Sequence, residues 1–219
     1  MTLGRVARSI PLLLLCWGGT LLVDHGWMAA KAHLAALLID RAYAAHLRDG
    51  ADHRPWHWAD THPVARLRVP RLGLSRTVLA GAGGHVLAFG PGHIDGTALP
   101  GTAGNTVIAG HRDGWFALLG ELQVGDSIVV ESRYGTRAFR VVALEVRSMW
   151  DSEVTQPTAA DRLTLVTCWP FDTRAPGDLR FVAIGLPEGN DGAPPERRSS
   201  QSRSRLPPAA AGGHPQFLW

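Results

Sequence analysis

Cys168 is the residue of this chain best suited to nucleophilic chemistry. It ends an apolar, β-type run that reads Thr164-Leu165-Val166-Thr167-Cys168, and the second cysteine, Cys16, lies far upstream. A thiol at the end of a strand is held by a rigid element yet faces a loop, so a nucleophile there is both fixed and reachable. Free cysteines are also often small core hydrophobes. The strand end therefore has two interpretations, a reactive thiol or an inert one.

A cysteine nucleophile needs a proton-transfer partner and a group that stabilises the oxyanion. His111 follows the apolar stretch Val107-Ile108-Ala109 after a single glycine, Gly110. Arg180 comes twelve residues after Cys168, at the start of the next predicted strand, so pairing of the two strands would bring both side chains to one rim. A well-placed oxyanion donor contributes about 3 kcal/mol to catalysis. The alternatives are an ordinary loop histidine and an edge charge.

Short strands and turns must position these residues. The chain has 219 residues, enough for one domain with a core, and its 25 glycines and 15 prolines favour many short strands over a helical bundle. Predicted strands cover residues 65–69, 74–79, 85–89, 105–109, 126–131, 137–146, 163–167 and 179–185. This spacing is typical of a barrel or a sandwich, and residues 115–119 are predicted to form a helical turn.

The N-terminus has the pattern of a membrane signal. Arg5 and Arg8 precede an apolar run at residues 9–23, which favours an orientation with the N-terminus inside. The run is shorter than the roughly 20 residues that span a bilayer. An uncleaved anchor is favoured over a cleaved signal peptide, because the apolar character continues past the run and residues 30–32 form a poor cleavage site. Either interpretation places the rest of the chain outside the cytoplasm.

The composition divides the chain into four predicted segments. These are a membrane anchor at 1–30, a helical stalk and linker at 31–63, a β-rich domain at 64–187 and a disordered tail at 188–219. The Ala/Leu-rich residues 27–48 form the predicted helix. The Pro-, Gly-, Ser- and Arg-rich tail cannot bury enough apolar surface to fold.

The net charge argues against nucleic-acid binding, and the histidine spacing argues against a metal site. The net charge of +3 is small and is not gathered into one run, so nucleic-acid binding is not expected. His53, His57 and His62 lie close together, but their spacing fits no standard metal site.

Three ordered motifs resemble those of the sortase family. The run from Thr164 to Cys168 is similar to the sortase TLxTC motif, and Gly104 to Arg112 resembles the segment with the catalytic histidine. Leu179-Arg180-Phe181-Val182 looks like the strand with the catalytic arginine. The lead-in is also similar, in Gly90-Pro91-Gly92-His93 and then Leu99-Pro100-Gly101. The resemblance covers roughly residues 64–186. The sequence Thr-Cys-Trp-Pro-Phe and the anchor look most like the small proteobacterial branch, class GN.

The resemblance implies a mainly β fold, a closed barrel of seven to eight strands with short helices, and a cysteine transpeptidase without a cofactor. Cys168 would attack a backbone carbonyl within an LPxTG-like sorting signal of a secreted protein, and His111 would protonate the departing amine. Arg180 would bind the motif or stabilise the oxyanion. An amine acceptor of unknown identity would then take the acyl group at the periplasmic side of the inner membrane.

The sequence leaves several further assignments open. The substrate site could also include Thr167, Trp169, His93 and Asp113, each of which has a structural alternative. Some sortases hold calcium with carboxylates near the loop before the cysteine strand. No metal requirement is predicted here, because the carboxylates of that region do not form a calcium loop, namely Asp151, Glu153 and Asp161. The same triad could act as a hydrolase, and an inert thiol would leave an exported binding domain.

Overall fold

The computed structural model of the protein describes residues 17, 27–28, 30–173, 175 and 177–189. The predicted anchor and the predicted disordered tail lie almost entirely outside these residues. Within them, no helix has both the length and the apolar character needed to cross a membrane. Helix α1 covers residues 30–49, and residues 27 and 28 are also helical, as the Ala/Leu-rich composition predicts.

Eight strands close into a barrel. The strands are β1 (Pro63–Val69), β2 (Leu74–Ala80), β3 (Gly92–His93), β4 (Asn105–Ala109), β5 (Ser127–Ser132), β6 (Gly135–Ser148), β7 (Arg162–Trp169) and β8 (Leu179–Pro187). Their order around the barrel is β1-β2-β3-β4-β7-β8-β6-β5. Closure pairs every strand on both sides, which removes the exposed edges of an open sheet. The mainly β fold is confirmed, and the barrel is the correct alternative.

Alternating side chains divide each strand between two faces. On β7, Leu163 and Leu165 belong to the main core, and on β8 so does Phe181. This core draws residues from seven strands and fills the barrel, and its fully buried leucines each contribute about 2 kcal/mol. The intervening residues Val166 and Val182 belong to a second cluster on the outer face of the sheet. Because successive side chains point to opposite faces, the last residues of β7 are sorted in the same way.

Helix α1 packs on the outside of the barrel. Ile39 is buried together with Leu79 of β2. The Tyr43 hydroxyl donates to the Glu131 carbonyl over 2.9 Å. Apolar and polar contacts therefore fix the described part of α1 to the barrel wall.

The predicted strand at residues 85–89 is wrong, because helix α2 (Gly84–Leu87) occupies this stretch. The amides of Val86 and Leu87 donate to the Gly83 carbonyl over 2.9 and 3.0 Å. Both side chains are buried, so a single helical turn satisfies both the backbone and the apolar residues. The predicted helical turn at 115–119 lies two residues later. The described residues also form short 3-10 helices at Pro70–Leu72, Ala117–Glu121 and Ser152–Thr155.

We expect Gly92→Ala to destabilise the barrel strongly. Gly92 pairs with Leu79 on one side and Ala109 on the other, and a Cβ there would lie 2.1 Å from the Gly81 carbonyl oxygen. Backbone atoms cannot move aside locally, so the loss should be about 3 kcal/mol in a urea unfolding measurement. Gly84→Ala is the matched control, since its Cβ meets nothing within 4 Å. Equal unfolding midpoints for the two variants would contradict this packing.

Candidate active site

Cys168 and Arg180 are paired directly across strands β7 and β8. Directly opposed residues of an antiparallel pair point to the same face, with Cβ atoms about 5 Å apart. That face is the outer one, because Cys168 follows Val166 by two residues on β7. The thiol is partly exposed, whereas Arg180 is only 5% exposed. The strand register therefore brings a reachable thiol and a buried guanidinium together.

His111 lies two residues after strand β4, which neighbours β7 in the barrel. This strand runs parallel to β7, with Ala109 paired to Val166. The Gly110 amide continues the pairing by donating to the Val166 carbonyl over 3.1 Å. His111 and Cys168 each follow that register pair by two residues, so the register of the two strands directs the chain at His111 toward the cysteine. The histidine just beyond β4, the cysteine on β7 and the arginine on β8 thus belong to three neighbouring strands, and we call these three residues the row.

A tight turn fixes the backbone at His111. The His111 carbonyl accepts hydrogen bonds from the amides of Gly114 and Phe116, at 3.2 and 3.1 Å. The Phe116 side chain is fully buried in the barrel core. A Cβ on Gly110 would lie 2.7 Å from the Phe116 ring. The glycine before the histidine therefore lets the turn pack closely against the core.

Arg180 donates to carbonyl groups of its own loop. Its Nη1 atom donates to the carbonyl oxygens of Gly177, at 2.7 Å, and Leu179, at 3.0 Å. These bonds hold the guanidinium plane in place without using a carboxylate. A buried guanidinium held in this way is suited to binding a carbonyl oxygen or a developing oxyanion.

The Thr167 hydroxyl forms a buried hydrogen bond with the backbone next to His111. Thr167 is 1% exposed, and its hydroxyl donates to the Gly110 carbonyl over 2.7 Å. This bond joins strand β7 to the residue before His111. The sequence left Thr167 either a substrate contact or a structural residue; its hydroxyl bond to Gly110 is structural, and a contact with substrate stays a prediction.

His93 and Asp113 lie in different environments. His93 is 4% exposed, and its Nε2 atom lies 3.0 Å from the Ala98 carbonyl oxygen and 3.1 Å from the Thr97 hydroxyl. Burial lowers the pKa of His93 below that of a free histidine. Asp113 is exposed, two residues after His111. His93 thus holds a turn together, and only Asp113 offers its side chain to solvent near the row.

Trp169 is half-buried and packs toward the barrel core. Its ring centroid lies 5.6 Å from that of Phe171 and 6.2 Å from that of Phe181. It alternates with Cys168 along β7, so its side chain belongs to the opposite face. Its contacts are those of a core residue at the barrel end.

Arg112 is a residue of the site that sequence reasoning missed, since its position next to His111 was the only signal that could have indicated it. It is 8% exposed. Its Nη1 atom donates to the Pro170 carbonyl over 2.9 Å, and Nη2 donates to the Ala175 carbonyl over 2.6 Å. Arg112 therefore joins the histidine segment to the loop that follows Cys168.

The three carboxylates near the predicted loop before β7 each form a hydrogen bond with an arginine. Arg147 Nη1 donates to Asp151 over 2.9 Å and to Glu153 over 3.3 Å, and Arg137 bonds to Asp161. The Arg147 hydrogen bond lowers the pKa of Asp151 below its usual value. Among the described residues, no group of three or more His, Cys, Asp or Glu is arranged to hold a metal ion. The absence of a metal requirement stays a prediction.

The three clustered histidines lie apart from the row. His53 bonds to Asp49 at 2.8 Å, and His62 lies 3.3 Å from Asp52. His57 is exposed. His53 and His62 thus have separate carboxylate neighbours, Asp49 and Asp52.

The fold and the row together define a class of protein. A partly exposed thiol, an imidazole and a buried guanidinium at adjacent strand ends are the groups needed for acyl transfer through a cysteine nucleophile. The sortase domain family matches residues 67–188, more than half of the chain. The chain belongs to the sortase family.

Comparison with known proteins agrees with this assignment. Sortase D of Bacillus subtilis (strain 168) is 28% identical over 120 residues, which cover 54% of this chain and 61% of that protein. The chain thus spans about three fifths of this relative's length. The structure of a Clostridium perfringens Sortase D5 transpeptidase has a TM-score of 0.60 at 21% identity, covering 72% of this chain and 99% of that chain. A sortase E variant from Streptomyces avermitilis has a TM-score of 0.50 at 29% identity, covering 58% and 88%.

These matches confirm the family and the closed barrel that the sequence predicted. The proteobacterial branch, the sorting signal and the catalytic roles of Cys168, His111 and Arg180 stay predictions.

We expect His93→Gln to destabilise the protein in a pH-dependent way. Because the folded-state pKa of His93 is lowered, the unfolded chain binds a proton more readily. The stabilisation is full above the unfolded pKa of about 6.5 and is lost as the pH falls below it. The variant should lose about 1 kcal/mol near neutral pH, and urea unfolding should show a smaller gap at about pH 5.5. A gap that does not change with pH would contradict this environment for His93.

Proposed function

We propose that this protein is a membrane-anchored sortase, a cysteine transpeptidase that cleaves an LPxTG-like sorting signal and transfers the acyl group to an amine. The observation that carries the proposal is the row of His111, Cys168 and Arg180 at adjacent strand ends. Membership of the sortase family supports the same chemistry, since sortases act on secreted proteins that carry sorting signals.

The first half of the reaction forms a thioester. The Cys168 thiolate attacks the carbonyl carbon of the scissile peptide bond and forms a C–S bond. As the C–N bond breaks, protonated His111 gives its proton to the departing amine. The N-terminal part of the substrate stays on Cys168 as a thioacyl group.

The second half reverses these roles with a new amine. Neutral His111 takes a proton from the incoming amine as its nitrogen attacks the thioester carbonyl. The C–S bond breaks and the Cys168 thiolate is restored. His111 and Cys168 each lie two residues beyond the last β4–β7 pair, which supports a role for His111 in both steps, because both proton transfers take place beside the same sulfur atom.

Arg180 would stabilise the negative charge that develops on the carbonyl oxygen. Its Nη1 atom is already bonded to Gly177 and Leu179, so little reorganisation is needed when the charge appears. A fixed donor of this kind stabilises a transition state more than a mobile one does.

Hydrolysis is the second candidate function. Cys168 is partly exposed, which would let water reach the thioester in place of an amine. Mass spectrometry of the products, with and without an added amine such as glycinamide, separates the two functions. A transpeptidase gives the amide product when the amine is present, whereas a hydrolase gives only the free acid.

We expect Cys168→Ala to abolish cleavage of a fluorogenic LPxTG-type peptide. The substitution removes the nucleophile while keeping a small side chain on the outer face of β7. Arg180→Gln should lower kcat by about 10²–10³ if the guanidinium stabilises the oxyanion. Circular dichroism checks that the variants are folded. A Cys168→Ala protein that cleaves at the wild-type rate would disprove the mechanism, and a wild type that binds the peptide without cleaving it would favour a binding domain.

We propose that the chain is held in the inner membrane with its N-terminus inside and its catalytic domain in the periplasm. Arg5 and Arg8 before the apolar run at residues 9–23 support this orientation. The helical residues Trp27 and Met28 and helix α1 continue the apolar character with exposed side chains, which on α1 include Leu34 and Leu37. The Thr-Cys-Trp-Pro-Phe sequence supports the proteobacterial branch.

Membrane integration can be tested by extraction of cell membranes with alkaline carbonate. The full-length protein should stay with the membrane pellet, and protease added to spheroplasts should digest the barrel. Release into the supernatant, or protection of the barrel from the protease, would contradict the proposed location.

A further inference from the structure

Arg112 connects two segments that carry the reactive row. It directly follows His111 in the chain, and its guanidinium donates to Pro170 and Ala175 in the loop between β7 and β8. That loop begins after Cys168 and Trp169 and ends at Leu179, next to Arg180. One side chain therefore spans from the histidine to the loop that joins the cysteine strand to the arginine strand.

The geometry of this contact is specific to a guanidinium. Its two terminal nitrogens each donate to a different carbonyl oxygen, at 2.9 and 2.6 Å. A planar fork holds both acceptors in one orientation, whereas a lysine ammonium is a point charge on a flexible stem. At 8% exposure, these bonds are also protected from competition by water. The contact is thus both directional and desolvated, so it resists small movements of either segment.

Two further bonds complete the connection between the segments. The Thr167 hydroxyl donates to the Gly110 carbonyl over 2.7 Å, which joins β7 to the residue before His111. Arg180 donates to the Gly177 carbonyl over 2.7 Å, which holds the far end of the same loop. Arg112 is the member of this set that links the histidine side directly to the loop after Cys168.

We propose that Arg112 is a positioning residue for the acyl-transfer reaction. Its two hydrogen bonds set the separation of the His111 imidazole and the Cys168 thiol by fixing the segments that carry them. The inference rests on the proposed function, because it assigns a purpose to that separation. Arg112 itself is bonded to protein carbonyls and acts through His111.

Loss of the Arg112 hydrogen bonds should lower the rate of catalysis rather than the affinity for substrate. Both halves of the reaction need the imidazole within proton-transfer distance of the nitrogen that leaves or attacks at Cys168. A displacement of about 1 Å in such a geometry lowers the rate about 10²-fold. Arg112 is 8% exposed and its two terminal nitrogens already bond to protein carbonyls, so we expect its loss to change substrate affinity little.

The test compares Arg112→Gln, Arg112→Lys and Arg71→Gln in the full-length protein. We expect Arg112→Gln to lower kcat for LPxTG-type peptide cleavage by about 10–100-fold while KM changes less than about threefold. Arg112→Lys should recover part of kcat, because an ammonium can still donate to one carbonyl. Arg71→Gln is the matched control. Arg71 bonds to Asp126 at 2.5 Å and to the Glu121 carbonyl at 2.5 Å, so its loss lowers stability without touching the row.

Each outcome decides the question. Wild-type kcat in Arg112→Gln, or an equal fall of kcat in Arg71→Gln at matched stability, would overturn the proposal. If the wild type cleaves no such peptide, the proposed function fails separately, and amide hydrogen exchange then tests the connection itself. Faster exchange at residues 171–173 and 175 in both Arg112 variants, with no change in Arg71→Gln, would support it. Unchanged exchange in the Arg112 variants would overturn it.

Discussion

The pairing register of strands β4, β7 and β8 is the constraint on which the site depends. A strand has a side-chain period of two, so a slip of one residue would move Cys168 from the outer face into the barrel. Leu163 and Leu165 oppose such a slip, because it would expose both leucines. The buried core of the barrel therefore determines which side chains of β7 can react. Cys168 faces outward because Leu163 and Leu165, at the alternate positions of β7, are buried inside the barrel.

Hydrogen bonds to backbone carbonyls hold the loop segments that strand pairing does not position. Strand pairing ends near Ala109 and Trp169, and loop segments carry the chain beyond these points. Arg112, Thr167 and Arg180 each direct polar hydrogens to carbonyl oxygens of these segments. Buried polar groups that are fully paired make a structure more specific, since each broken bond leaves an unsatisfied group.

The electrostatics of the row extend to strand β6. Arg147 lies directly opposite Arg180, on the side away from Cys168. Like charges in this arrangement destabilise a sheet. Asp151 and Glu153 offset the repulsion by accepting hydrogen bonds from Arg147. The same bonds hold the segment after β6 beside the outer face, next to the row.

The sequence predicted what local patterns determine and missed what long-range contacts determine. Strand β4 was predicted with the observed bounds, because Asn105 to Ala109 is a short apolar run between glycines. The strand predicted at residues 85–89 was wrong, since a short apolar run has the same pattern in a strand and in one helical turn. The partners of Arg112 and Thr167 lie about 60 residues away in the chain, so no local pattern could have shown them. The row itself was predicted through motif order, whereas its register needed the fold.

The central claim is that Cys168 carries the acyl group during catalysis. The most direct measurement is the mass of the wild-type protein after acid quenching of a reaction with an LPxTG-type peptide. We predict a mass increase equal to the N-terminal fragment of the substrate, located on the Cys168 peptide and removed when an amine acceptor is added before the quench. Cleavage at the full rate in which the fragment is found on another residue would contradict the account.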